Sequence, residues 1–196
     1  MITHRLIKIW VILIVLSFFF WNEGGAQSFS VTEKGKQPKP GTSAPIIKHA
    51  FAVEKGSYGY IWKIYLEAED PDGDMLRIAS VVDQVGYGYY PANWTYLKSP
   101  TQKYFKGYLQ WNTFSSKTHY LREWTQIGLR VSVFDKEGNE SNEVILPFEF
   151  VSGVRGQYQY QLPAPFDQGD IPRLGFLHID LFEPTLMGNG SGARDN

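Results

Sequence analysis

Between two runs of alternating apolar residues, the stretch LEAEDPDGDMLRIA sets Asp70, Asp72 and Asp74 at every second position around Pro71 and Gly73. Carboxylates at that spacing have three chemistries open to them. They can gather a hard cation such as Ca²⁺, which takes about six to eight oxygen ligands. They can form part of a carboxylate pair for acid–base work. Or they can accept hydrogen bonds from a tight turn, with Pro71 presetting φ and Gly73 allowing the positive φ that leads into the next strand. An EF-hand is excluded: Met75 stands where that loop needs Gly, Val81 where it needs Glu, and both flanks carry strand rather than helix patterning.

Other residues offer less. His178 and Asp180 in LHIDL project from one strand face at i and i+2, a spacing a metal could use, but two ligands are too few for zinc. Aromatic residues crowd the segment from Tyr87 to Trp124. Some must fill a core, Phe105 and Trp111 foremost. Tyr87, Tyr89, Tyr90 and Trp94, in the irregular stretch GYGYYPANW, are the candidate ligand-binding residues, because exposed Tyr and Trp stack on sugar rings or anchor a protein partner. No G-x-S-x-G, H-E-x-x-H or glycine-rich phosphate loop occurs, so no catalytic residue is assigned. NWT at Asn93, NES at Asn139 and NGS at Asn189 are sequons that matter only in a host that glycosylates asparagine.

The elements that must position these residues have a period of two. In YIWKIYLEAE, Trp62, Ile64, Leu66 and Ala68 share one face and Lys63, Glu67 and Glu69 the other. KYFKGYLQW puts Phe105, Leu109 and Trp111 on one side; QIGLRVSVFD alternates Ile127, Leu129, Val131 and Val133 against Arg130 and Ser132. In EVILPFEF, Val144, Leu146, Phe148 and Phe150 alternate, but Pro147 cannot donate to a ladder, which predicts an edge or a bulge there. IIKHAFAVE and MLRIASVVDQV add two strands, and VGYGYYPANWTYL supplies another or an irregular crossing. With no amphipathic helix in this region, the pattern predicts an all-β, immunoglobulin-like antiparallel β-sandwich of about seven strands over residues 46–153. In such a sandwich the loop after the second strand and the loop before the last lie at one end. That end would bring Asp135, from DKEGNES, toward Asp70, Asp72 and Asp74, making the four the candidate Ca²⁺ ligands.

LEAEDPDGDMLRIASV resembles the corner of cadherin-like and related bacterial immunoglobulin-like modules, which often read A-x-D-x-D-G-D-x-L. LRVSVFDKEGNESNEVILPFEF is similar to their closing hairpin. The resemblance covers about residues 43–151 and implies a binding or spacer sandwich of the cell envelope or extracellular medium, in some members stabilised by calcium. The glutamate and linker motifs of calcium-bridged cadherin repeats are not evident, and a single module is present.

The flanks fit export. Arg5 and Lys8 precede the run IWVILIVLSFFFW, and Gly24 and Ala26 follow as the small residues of a cleavage site, so residues 1–26 are expected to be a secretory signal. The run is shorter than the roughly 20 residues a spanning helix needs, and no membrane span is expected once the signal is removed. Without Arg5, Lys8 and Glu23, 17 basic and 19 acidic residues remain, a near-neutral balance that does not suit a nucleic-acid partner. No cysteine is present, which excludes thiolate metal sites, cysteine nucleophiles and a cysteine-linked lipid anchor. Residues 27–45, rich in Pro, Gly and Lys, are expected to be an extended linker. Residues 154–187 form a C-terminal extension with one strand-like segment, free to join its own sheet or a partner's edge, and 188–196 have the composition of a disordered tail. The expected function is non-enzymatic: an exported binding or spacer module of the periplasm, cell envelope or extracellular medium with a protein or glycan partner, the alternative being a carbohydrate-binding or carbohydrate-active accessory protein that uses the surface aromatics.

Overall fold

The computed structural model describes residues 30–32, 38–118, 125–152 and 160–183. The signal segment and the tail from 188 lie outside them. Among the described residues there is no helix, and so none long and apolar enough to cross a membrane. Eleven strands among the described residues form two packed sheets: β1 (Ser30–Thr32), β2 (Ile46–Phe51), β3 (Lys55–Gly56), β4 (Ile61–Glu69), β5 (Met75–Gln84), β6 (Gly88–Tyr89), β7 (Asn93–Tyr96), β8 (Tyr104–Asn112), β9 (Gln126–Asp135), β10 (Glu143–Phe150) and β11 (Arg173–Leu177).

The chain is an all-β sandwich. One sheet runs β2-β4-β8-β11; the other runs β1-β10-β9-β5-β6, with β3 beside β10 and β7 beside β5. Among the long strands β2, β4, β5, β8, β9 and β10, the chain changes sheets between β4 and β5, before β8, and again between β8 and β9. The alternation read from sequence is the inside of this sandwich. Trp62, Ile64, Leu66 and Ala68 on β4 are fully buried, as are Leu129, Val131 and Val133 on β9. The sheets meet through aromatic rings: Trp62 of β4 lies 4.6 Å from Phe148 of β10 in the facing sheet, and 5.9 Å from its cross-strand neighbour Trp111 of β8. Each buried indole also needs an acceptor. Trp62 Nε1–H finds the Val53 carbonyl at 2.8 Å, and Trp111 Nε1–H finds that of Ile179 at 3.2 Å.

Pro147 is accommodated by register. Phe150 donates its N–H toward Thr125 on the β9 side, whereas Glu149 and Val151 donate outward to Glu54 and Gly56. By alternation the Pro147 nitrogen also faces outward. There it falls between β1, which pairs with residues 143–145, and β3, which pairs with 149–150, so no ladder bond is lost. β10 is therefore not a bare edge; two short strands cover it on either side of the proline.

Part of the stretch expected as a free linker is built into the sandwich. Ser30–Thr32 pairs antiparallel with β10. Farther on, the Lys39 N–H donates to Asn139 Oδ1 at 3.1 Å, and Asn139 Nδ2 donates to Thr42 Oγ1 at 2.9 Å.

The C-terminal extension packs on its own domain. β11 runs parallel to β8, and Leu177, Ile179 and Leu181 are 4%, 7% and 0% exposed, closing the core beneath Trp111. Before β11, Phe166 is buried against Tyr65 and Phe51, covering the outer face of β4 and β2. Two glycines permit this seating. A Cβ on Gly107 would sit 2.6 Å from Leu174 Cγ, and one on Gly175 would sit 2.5 Å from Thr95 Cγ2, distances real side chains do not occupy.

Candidate functional site

The crossing from β4 to β5 brings together three of the four predicted carboxylates. Asp70 and Asp135 are buried, 1% and 2% exposed, and Asp74 is half-buried beside them. Their bonds are those of a corner clamp. Asp70 accepts the N–H of Asp72 at Oδ1 and of Asp74 at Oδ2, both at 3.1 Å, while its carbonyl takes the N–H of Gly73, which sits at φ 76°. Asp135 is held the same way: the Asn139 N–H reaches its Oδ1 at 2.7 Å and Asn139 Nδ2 its Oδ2 at 2.6 Å. The Lys136 N–H donates to the Asp74 carbonyl at 3.2 Å, which ties the two loops together as the sandwich topology requires. Asp72 does not join them. It is exposed and accepts the Ser43 N–H at 2.6 Å, fastening the entering chain.

Asp74 Oδ1 is buried and no N–H or O–H reaches it. Burial pushes the Asp74 carboxyl above its usual range, the contact with Asp70 pushes it the same way, and so do the charges of Asp135 and Asp70. Each oxygen of Asp70 and of Asp135 accepts one N–H, whereas Asp72 lies apart from them, bonded to Ser43. Among the described residues no group of three or more His, Asp or Glu stands where it could hold a metal.

The four predicted aromatic residues divide. Tyr90 is not a surface residue: it is 6% exposed, and its hydroxyl donates to Gln84 Oε1 at 2.5 Å and accepts the Phe182 N–H at 2.7 Å. Tyr87 stacks on Tyr90 at 4.7 Å and on Phe182 at 5.1 Å, so both rings help to hold the C-terminal extension. Burial of the Tyr90 phenol raises its pKa to about 12.

Tyr87 is nonetheless 46% exposed, and Tyr89 and Trp94 reach the surface on the outer face of the larger sheet. Strand pairing sets Tyr96, Arg77 and Phe134 in one row across β7, β5 and β9, with Trp94, Ala79 and Ser132 in the next. The Arg77 guanidinium lies 4.0 Å from the Trp94 ring centre and 5.8 Å from that of Phe134. Arg130 stands 5.6 Å from the Tyr89 ring and bonds Glu143 Oε2 at 2.8 Å. Tyr89, Tyr96 and Trp94 remain 64%, 60% and 39% exposed. Sequence reasoning singled out the aromatics but not Arg77, Arg130 or Phe134. The signal was present in LRIASVV and LRVSVFD, each of which places an arginine on the polar side of its strand.

Comparison with family models, with curated proteins and with solved structures finds no match to this chain.

Proposed function

We propose that this chain is an exported, non-enzymatic binding module that engages a protein partner through the outer face of its larger sheet. The observation that carries this reading is the set Tyr89, Trp94 and Tyr96, exposed together over the guanidinium groups of Arg77 and Arg130. Tyr, Trp and Arg are the residues that most often dominate binding energy, since each covers a large area with few rotatable bonds or a preorganised planar head. Glu143 and Asp83 beside Arg130 keep the face mixed in charge, which suits a protein surface better than a polyanion. The signal-like sequence of residues 1–26 supports a location in the periplasm, the cell envelope or the extracellular medium. In this reading the aspartate corner is a spacer's rigid joint and needs no cation.

The test is a quantitative comparison of wild type with the triple variant Tyr89→Ala/Trp94→Ala/Tyr96→Ala, used as bait against the envelope fraction of the native host. A partner retained at least tenfold better by wild type supports the reading. Equal recovery by the two baits, with equal melts, removes this face from the function.

A carbohydrate reading of the same rings has less behind it. Trp94 has Arg77 against its ring and Phe134 at its edge, and Tyr90 is buried against Tyr87 and Phe182.

A further inference from the structure

On the other sheet lies a cleft of about 450 Å³ that the aromatic face does not touch. Its floor is Gln110 and Asn112 from the outward side of β8, and its rim is Phe114, Phe176, His178 and Asp180. The size falls within the roughly 300–1,000 Å³ range of small-molecule sites. We propose that this cleft binds a neutral saccharide, with the phenyl rings of Phe114 and Phe176 against sugar C–H faces and the polar floor on its hydroxyls.

The chemistry of the lining narrows the ligand. Phe114 and Phe176 are 58% and 45% exposed, unusual for phenylalanine, which has no polar tip to reward exposure. Between them the polar groups are matched to hydroxyls rather than to a charge. Asn112 Oδ1 is taken by the Phe114 N–H at 3.1 Å, which leaves its amide NH₂ end to donate. Gln110 and His178 add groups that both donate and accept. Asp180 is an acceptor: the Ser116 hydroxyl at 2.5 Å and the Ser116 N–H at 3.3 Å hold its carboxyl below the usual range, so it is ionised at neutral pH. A carboxylate on the rim disfavours acidic sugars and phosphates.

The site is preorganised, which cuts the ordering cost of binding. Phe114 packs on Tyr58 at 5.4 Å; the Tyr58 hydroxyl donates to the Thr118 carbonyl at 2.7 Å and accepts the Ser115 N–H at 3.1 Å. Ser115 Oγ donates to the Leu181 carbonyl at 2.6 Å, locking the Phe114 loop to the C-terminal extension. Phe176 has the Arg173 guanidinium 4.2 Å from its ring centre. The extension therefore supplies half the site, and the cleft exists because β11 pairs with β8.

This inference is independent of the protein-binding face. The experiment is saturation-transfer NMR on the full chain with methyl glycosides of glucose, galactose, mannose and N-acetylglucosamine as probes. Transfer to at least one glycoside is expected, with a Kd on the order of 1 mM for a single ring in an open cleft. Phe114→Ala/Phe176→Ala should weaken that binding at least tenfold, and so should the milder Asn112→Ala, which keeps the proposal testable should the double variant fail to fold. Trp94→Ala, on the opposite sheet, should leave it unchanged. Absence of transfer to all four probes overturns the proposal. So does transfer that survives Asn112→Ala unchanged, or that Trp94→Ala abolishes.

Discussion

The Tyr90 hydroxyl accepts the Phe182 N–H at 2.7 Å and donates to Gln84 Oε1 at 2.5 Å, while Gln84 Nε2 returns a bond to the Phe182 carbonyl at 2.8 Å. The ring closes with every polar end partnered, at the point where β5 and the end of the C-terminal extension meet. Tyr90→Phe keeps the ring and removes the hydroxyl, leaving the buried Gln84 oxygen and the Phe182 N–H without it. Each unsatisfied buried group costs about 1–3 kcal/mol, so a loss of about 2–4 kcal/mol is expected in urea unfolding. A loss under 0.5 kcal/mol would show that the extension is not held here.

The same phenol sets an alkaline limit. Its folded-state pKa is raised to about 12 by burial, against an ordinary value of 10.0. A group raised in this way contributes stability that is complete below the unfolded value and is lost as pH rises through the folded one. The melting midpoint should therefore fall between about pH 10 and pH 12. Tyr65, Tyr104 and Tyr160 are raised too, so Tyr90→Phe should shallow that fall and not abolish it. Melts of the two proteins across that window decide it.

At the aspartate corner the sign is also fixed by the direction of the shift. Asp74 is raised from 3.8, so its contribution is complete below that value and lost as pH rises through the folded-state pKa. At pH 7 the ionised group is a liability. Asp74→Asn should raise stability by roughly 1 kcal/mol, the scale of one like-charge contact, and the gain should vanish in acid. Melts in excess Ca²⁺ and in EDTA should coincide. A calcium-dependent rise of several degrees, lost in Asp74→Asn, would instead make the corner a metal site.

Gly175 and Thr95 test how the extension is seated. A methyl group at Gly175 would lie 2.5 Å from Thr95 Cγ2, so Gly175→Ala should destabilise by about 1–3 kcal/mol through overpacking. Thr95→Ala removes the obstructing methyl. The double variant should recover at least half of the loss, measured as a coupling energy in a double-mutant cycle. Additive losses would mean that β11 does not lie against β7.

Leu181 tests the claim that the extension completes the core. It is fully buried, and Leu181→Ala should cost about 2–5 kcal/mol, as for core leucines in general. A cost near zero in urea unfolding would mean that the core is closed without residues 177–181.

The sequence by itself determined the sandwich and its inner faces. A period of two with alternating apolar residues leaves one register in which each strand buries its apolar side, and a one-residue slip would expose all of it. That is why Trp62 to Ala68 on β4 and Ile127 to Val133 on β9 were legible at sight, and why topology brought Asp135 to the Asp70 corner. Only the tertiary structure decided what each polar or aromatic side chain does, because that depends on partners far away in the chain. Tyr87, Tyr89, Tyr90 and Trp94 look alike along the strand, yet Phe182 claims Tyr90 and Tyr87 from about 90 residues away, whereas Arg130 and Arg77 back Tyr89 and Trp94 at the surface. Likewise the directions of the N–H groups around the four aspartates are not written in their spacing. Those directions turn Asp72 toward Ser43 and fill the oxygens of Asp70 and Asp135. Spacing along a chain specifies which residues can share a face; the donors that face them come from elsewhere in the fold.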